Sequence, residues 1–423
     1  MGVTVTTDDG THDKDMKQRF LPHVDEIKQA FEDGGKDACR LLLERKRDEW
    51  KDIPLYVAVI GNSGVGKSSF INAIRDLEAD DEGAAKVGVK ETTVDTRSYS
   101  HPQNPMLVFW DLPGVGTDRF PRETYLSDIG IDRFDFFLLI TANRFTENDT
   151  WLGKEIRERN KKYYFIRTKI DSDVEAHKKA HRKRHNKEAV VKEIRQNTKA
   201  ILIKNGCEDV PVFLIDNYEP MTFDFEQLKQ SLVEDFPELK RTALIMSLQA
   251  TSKAMIQLKV AELRSRMWKV AMLSAAVAAV PVPGLSFVFD SALVVDVAVW
   301  YYSQLGLDEA SLKRYATLTS IEYMALESVV KDQLGMTVVG VSGIRAVVLT
   351  LAAGAAIGVS EATEEISRWI FPLIGTFIIA PIASYAGTLY MLEMVLDKME
   401  KTANAVMDFA AGQSVQADNN QSP

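Results

Sequence analysis

Disulfide chemistry is nearly absent from this chain. Two cysteines, Cys39 and Cys207, occur in 423 residues, too few for a disulfide framework and in keeping with a reducing cytosol. No apolar stretch follows Met1, so the N-terminus does not read as a secretory signal. Positive charge is not in excess: 51 Lys and Arg against 60 Asp and Glu give a formal net charge of −9. That balance weighs against a nucleic-acid binder. The six histidines show no metal-ligand spacing beside Glu or Cys, and none is assigned to a site. What remains is a globular composition, 46% apolar and 26% charged, in a length that suits two or three domains.

The most informative run is Gly61-Asn62-Ser63-Gly64-Val65-Gly66-Lys67-Ser68. It follows the apolar stretch Leu55–Ile60 and leads into Phe70-Ile71-Asn72-Ala73-Ile74. Strand, glycine loop and helix in that order are the context of a phosphate-binding P-loop. Its glycines let backbone N–H groups curl around an anion. Asn62, Ser63, Gly64, Val65 and Gly66, with Lys67, Ser68 and Ser69 opening the helix, are therefore assigned to a nucleoside triphosphate. Lys67 can reach the β- and γ-phosphates, and Ser68 can ligate Mg²⁺.

Three later segments fall in the order a guanine-nucleotide switch needs. Leu107–Gly114 is a strand ending in Asp111-Leu112-Pro113-Gly114. It delivers Asp111 beside the metal, and the Gly114 N–H can meet a γ-phosphate. A plain strand ending in a Pro-Gly turn reads the same way. Tyr163–Ser172 ends a strand in Thr168-Lys169-Ile170-Asp171. A carboxylate there can accept from guanine N1–H and its exocyclic amine, whereas adenine would leave Asp171 unpaired. Mismatches of that kind are rejected by roughly 10⁴–10⁵-fold in sites built on buried hydrogen bonds. Lys169 would lay its stem along the base, beside Thr168 and Ser172. Many GTPases carry Asn where this chain has Thr168. The strand Val210–Ile215 brings Asp216 and Asn217 beneath the base. Between the P-loop and Asp111, residues 83–93 are small and polar, as a switch loop should be. One threonine there should bind Mg²⁺, Thr93 in preference to Thr92.

Together with Glu82-Gly83-Ala84-Ala85-Lys86, Val108-Phe109-Trp110, Phe120-Pro121-x-x-Thr124-Tyr125-Leu126, Asp135-Phe136-Phe137 and Arg167 to Asp173, these segments resemble the immunity-related, interferon-inducible GTPases. The likeness is dense from about residue 15 to 330. It implies a Ras-like α/β G domain, mostly parallel sheet with helices on both faces, beside an all-α domain built from N- and C-terminal segments. It also implies GTP and GDP binding, slow hydrolysis, GTP-dependent self-association and action at intracellular membranes. Lys67, where some relatives carry Met, resembles the effector-type members. Val87 stands where relatives often carry Thr, and the C-terminal third is more apolar than usual for the family.

Hydrolysis needs a further group. Ras-like enzymes orient water with a Gln directly after Asp-x-x-Gly, and Val115 holds that place here. A catalytic Arg is worth roughly 10³–10⁵ in rate, and none is evident in cis. Glu91 resembles a switch glutamate through which family members touch the partner's nucleotide; a solvated loop carboxylate is the plainer reading. Lys67, Glu91, Thr93 and Gly114 form the expected catalytic set, with Ser68, Thr93 and Asp111 on the metal. A nucleotide-binding membrane scaffold with negligible turnover is the alternative, and an unrelated ATP-dependent enzyme is disfavoured by Asp171.

Along the chain, residues 1–13 read as a disordered tail, 14–51 as a helical segment, 52–236 as the G domain, 237–410 as helical and 411–423 as a second tail. Met1-Gly2-Val3-Thr4-Val5-Thr6 satisfies an N-myristoylation pattern at Gly2. The basic run Lys178–His185 fits a solvated helix face or a contact to lipid phosphates. Thr319-Ser320-Ile321-Glu322 reads as a helix start, with Ser320 as cap. Met336–Ser360 and Trp369–Leu392 are long and apolar, so 336–392 reads either as a membrane hairpin or as a buried bundle. The partners expected are a second copy of the chain and an intracellular membrane, with no nucleic acid.

Overall fold

The computed structural model describes residues 44–88, 96–117, 119–278, 285–352 and 376–420, with single positions between 26 and 42. The chain separates into two compact units: Trp50–Met255, and the described residues on either side of it.

The central unit is a sheet flanked by helices. In chain order it holds β1 (Leu55–Ile60), α1 (Lys67–Ile74), β2 (Arg97–His101), β3 (Asn104–Leu112), α2 (Arg122–Ile129) and β4 (Phe136–Thr141). Then follow α3 (Glu147–Glu158), β5 (Lys162–Arg167), α4 (Ile170–Ala180), α5 (Lys187–Lys204), β6 (Val212–Leu214), α6 (Phe225–Asp235) and α7 (Glu238–Ser247). The strands lie in the order β2-β3-β1-β4-β5-β6. All neighbours are parallel except β2, which runs antiparallel to β3 at one edge. This is the expected α/β class. Every residue of β4 is buried, and β1 is buried at all but Tyr56, the near-continuous apolar run of a strand covered on both faces. β2, at the edge, is mostly exposed and reads Arg-Ser-Tyr-Ser-His.

Register decides what meets at the carboxyl edge. Val59 lies opposite Asp111, and Ile60 opposite both Leu112 and Leu139. Thr141 pairs with Arg167, which pairs with Leu214. The segments after β1, β3, β4, β5 and β6 therefore leave the sheet side by side. Strand order reverses around β1, the position where open α/β sheets bind ligands.

The other unit is helical: most of α8 (Lys253–Ala278), then α9 (Leu285–Gln304), α10 (Glu309–Thr319), α11 (Tyr323–Leu334), α12 (341–352) and α13 (Thr376–Asn420). α13 packs on α9 and α11. It buries Leu392, Val395, Leu396, Met399, Ala403 and Val406, a three-and-four spacing that presents one stripe. It runs to Asn420, into the segment that composition alone marks as a tail. Ser274 Oγ stands 2.6 Å from Ser384 Oγ and accepts from Thr388 Oγ1 at 2.7 Å, so α8 and α13 touch through hydroxyls.

Two readings of the C-terminal third change. Ser320 does not open a helix. It closes α10 in the left-handed region at φ 55°, and Glu322 precedes α11 without a side-chain cap bond. In α12, Ile344, Val347 and Val348 are buried, while residues 353–375 of the proposed hairpin lie outside the described set. Among the described residues no helix is long and apolar enough to cross a membrane.

Candidate functional site

The loop between β1 and α1 wraps around its own lysine. Lys67 is 4% exposed, and its Nζ donates to Gly61 O at 2.8 Å and Asn62 O at 3.1 Å. It also stands 3.9 Å from Asp111 Oδ1. Ser68 Oγ donates to Asp111 Oδ2 at 3.1 Å. The β1–β3 register, which sets Asp111 beside Val59, makes that meeting possible. Gly66, at φ 91°, takes the left-handed turn that starts α1, a conformation L side chains avoid. The loop thus ends at the N-terminus of α1, the electropositive end of a helix dipole. Gly114 closes the opposite side. A Cβ there would stand 2.3 Å from Asn62 Oδ1 and 3.1 Å from Asn62 N, so a larger residue would displace the Asn62 side chain.

The segment after β5 is tied to that loop by Thr168. Thr168 is fully buried, and its Oγ1 donates to Val65 O at 2.6 Å. Its N–H donates to Thr141 O at 2.9 Å. Lys169, left-handed at φ 59°, extends its Nζ to Gly64 O at 2.8 Å. Asp171 and Ser172 then open α4 on the exposed side, with Ser172 Oγ donating to Asp171 Oδ2 at 3.2 Å. From β6, Asn217 Nδ2 donates to Gly66 O at 3.0 Å. Asp216 is buried and accepts the Tyr218 N–H at 2.9 Å. Burial pushes its carboxyl upward, the Tyr218 N–H pulls it back, and Asp171 adds to the rise. Asn62–Ser69, Asp111, Gly114, Thr168–Ser172, Asp216 and Asn217 are thus brought to one edge of the sheet. Glu91, Thr92 and Thr93 lie outside the described residues.

The segments flanking the loop are held from behind. Asn72 on α1 pairs with Ala85 in both directions, Nδ2 to O at 2.9 Å and N–H to Oδ1 at 2.6 Å. Arg75, three residues on, donates to Gly83 O and Ser100 O, each at 2.9 Å. Those bonds fix Gly83 and Ala85 to α1. After β3, Val115 is buried in the main apolar cluster of the sheet unit. Its carbonyl accepts from Asn148 Nδ2 at 3.1 Å, and Tyr125 OH donates to Pro113 O at 2.7 Å. Asn148 is placed by a reciprocal cap at the start of α3, between Thr146 and Asp149.

A sequence profile of the family described as interferon-inducible GTPase (IIGP) matches residues 22–341. The chain belongs to that family. Among the family's curated members, interferon-inducible GTPase 5 of Rattus norvegicus is 34% identical over 384 residues, 90% of this chain and 81% of the rat protein. Interferon-inducible GTPase 1 of Mus musculus is 38% identical over 280 residues, 66% of this chain and 67% of the mouse protein. Among solved structures, the G domain of the T. maritima FeoB iron transporter shares 20% identity, covering 43% of this chain and 98% of its own, at a TM-score of 0.27. That value is too low to carry weight. As a member of the interferon-inducible GTPases, the chain is a GTPase that binds GTP and GDP.

In this GTPase the departure at Thr168 has a structural meaning. The hydroxyl is just long enough to clamp the Val65 carbonyl, so the base segment and phosphate loop share one bond. Thr168→Val keeps the shape and leaves that buried carbonyl without its donor. The expected loss is about 1–3 kcal/mol, read as about 2–4 °C of melting temperature per kcal/mol. An unchanged melting curve contradicts the clamp. Several contributors have no local signature: Asn72, Arg75, Tyr125 and Asn148 bond to backbone 8 to 33 residues away. The basic run Lys178–His185, which begins in the last turn of α4, is largely exposed, and His181 and His185 of that run stand beside His177, with 3.1 Å between the Nδ1 atoms of His177 and His185. No group of three or more His, Cys, Asp or Glu among the described residues is arranged to hold a metal ion.

Proposed function

We propose that this GTPase switches and self-associates on intracellular membranes in cell-autonomous innate defence. The observation that carries the switch is the 3.1 Å contact of Ser68 Oγ with Asp111 Oδ2, beside a Lys67 amine buried within the loop. A hydroxyl and a carboxylate are hard oxygen donors of the kind Mg²⁺ takes, so Ser68 and Asp111 fit that ion, with Thr93 as the switch-loop ligand. Bound there, Mg²⁺ supplies charge neutralisation for the leaving β-phosphate oxygens. Backbone N–H groups of Asn62–Ser69 orient the phosphates, and Lys67 stabilises the charge that grows on them. Asp171 selects guanine at the far end, flanked by Lys169, Ser172, Asp216 and Asn217. The Gly114 N–H reports the γ-phosphate to the segment held by Asn148 and Tyr125. Excess chelator is expected to reduce GTP turnover by about 10²-fold or more; turnover indifferent to chelation contradicts the metal assignment.

Val115 supports slow turnover by a lone copy. Its side chain is apolar and buried, so it cannot orient water as a Gln would. A second G domain supplies the missing polar group, with Glu91 of the switch loop crossing toward the partner's nucleotide. Turnover per protein molecule is therefore expected to rise with protein concentration. A specific rate that stays flat from nanomolar to tens of micromolar contradicts self-stimulation. At the membrane, a single myristoyl chain on Gly2 binds only marginally, with K of about 10⁴ M⁻¹. A second contact is therefore needed for stable attachment.

A further inference from the structure

Tyr218 stands out at the carboxyl edge of the sheet. It follows the buried residues Ile215 and Asp216, yet its side chain is 73% exposed. Its backbone is fixed on both sides. The Tyr218 N–H donates to Asp216 Oδ1 at 2.9 Å, and the preceding Asn217 donates to Gly66 O at 3.0 Å. From this turn the ring crosses toward α1, where its hydroxyl stands 3.3 Å from Ser69 Oγ. Folding gains little from the arrangement. An aromatic ring left mostly in water contributes small apolar burial, and one long bond between exposed hydroxyls adds little. What the ring does is span two fixed points: the β6 turn behind Asp171, and the first turn of the helix that follows the phosphate loop. A nucleoside read by Asp171, with its phosphates on Asn62–Ser69, would lie between the same two points. Lys169 reaches the same loop, its amine donating to Gly64 O at 2.8 Å.

We propose that Tyr218 is a further nucleotide-binding residue, its ring walling the purine and ribose together with the Lys169 stem. The proposal rests on the guanine assignment above and adds a separate job. Asp171 reads the hydrogen-bonding edge of the base, while a stacking face accepts any purine because every base has a π-face. The hydroxyl contact to Ser69 aims the ring and is secondary to the ring itself. Selection and retention are thereby divided between two side chains on neighbouring segments.

The test is stopped-flow dissociation of a fluorescent methylanthraniloyl-GDP from the full chain, with inosine diphosphate carrying the same label alongside. Tyr218→Ala is expected to raise the dissociation rate constant about tenfold, in the range stacking supplies. The factor should be the same for the inosine nucleotide. Tyr218→Phe should stay within about threefold of the parent protein, because it keeps the ring and loses one weak bond. Melting of both variants without nucleotide should match the parent, which separates nucleotide contact from a structural role. An Ala variant with parental dissociation, or a Phe variant as fast as Ala, overturns the proposal. Asp171→Asn, measured in parallel, keeps the two readings distinct. If it changes base preference while Tyr218→Ala changes nothing, the guanine site stands and the ring has no part in it. If the parent protein itself does not prefer GDP to ADP, the base assignment falls, while the Tyr218 dissociation ratio still decides the role of the ring.

Discussion

Asp171→Asn is expected to exchange the base this GTPase accepts. The native carboxylate only accepts hydrogen bonds, matching the N1–H and amine of guanine. An Asn amide offers one acceptor and one donor, so it meets the guanine amine with its own N–H and loses a bond. Xanthine carries a carbonyl where guanine carries the amine, and the Asn pattern fits it. GTP affinity should fall by about 10³–10⁵-fold, the scale on which a polar site rejects a mismatched partner. Xanthosine triphosphate should bind the variant more tightly than GTP does. Asp171 lies on the exposed side of α4, where its carboxylate accepts from Ser172 Oγ, so the substitution should leave the fold intact. Competition binding with the two nucleotides checks both halves. Retained GTP affinity in the variant contradicts the assignment.

Lys67→Met carries the second large effect. The amine is buried between two loop carbonyls and lies 3.9 Å from the equally buried Asp111. Met fills a similar volume and removes the charge proposed to face the phosphates. Loss of a preorganised cation at the point where charge develops costs about 10²–10³-fold in kcat. The fold pays as well, since Asp111 keeps its charge and loses the cation beside it; about 3 kcal/mol is expected for a broken buried pair. Phosphate release and thermal melting read the two effects separately. A variant that hydrolyses GTP at the parental rate contradicts the role given to Lys67.

Sequence reasoning reached the parts of this site whose physics is local. Gly61–Ser68 declares itself because strand, glycines and helix must follow in that order, and Asp111 because Asp-x-x-Gly ends an apolar strand. The sheet itself was legible in the same way, through apolar runs alternating with helical spacing. Contacts that depend on strand register were not. Thr168 could only be compared with the more usual Asn; its bond to the Val65 carbonyl joins residues 103 apart. Asn217 reaches Gly66 across 151 residues, and Tyr218 reaches Ser69 across 149. Ser320 misled because a small polar residue serves either end of a helix: an N-cap uses its side chain, whereas here its left-handed backbone closes α10. The C-terminal third resisted because helices apolar on several faces lose the periodicity that distinguishes a buried bundle from a lipid-facing hairpin. Only assembled contacts, such as the Leu392-to-Val406 stripe of α13, reveal which side is covered.

The central claim is that the segment clamped by Thr168 presents a guanine-reading carboxylate to a nucleotide held on Asn62–Ser69. Competition of unlabelled GDP and ADP for the native protein tests it most directly. GDP is expected to displace the fluorescent nucleotide at concentrations at least about 10³-fold lower than ADP. Equal potency of the two nucleotides would contradict it.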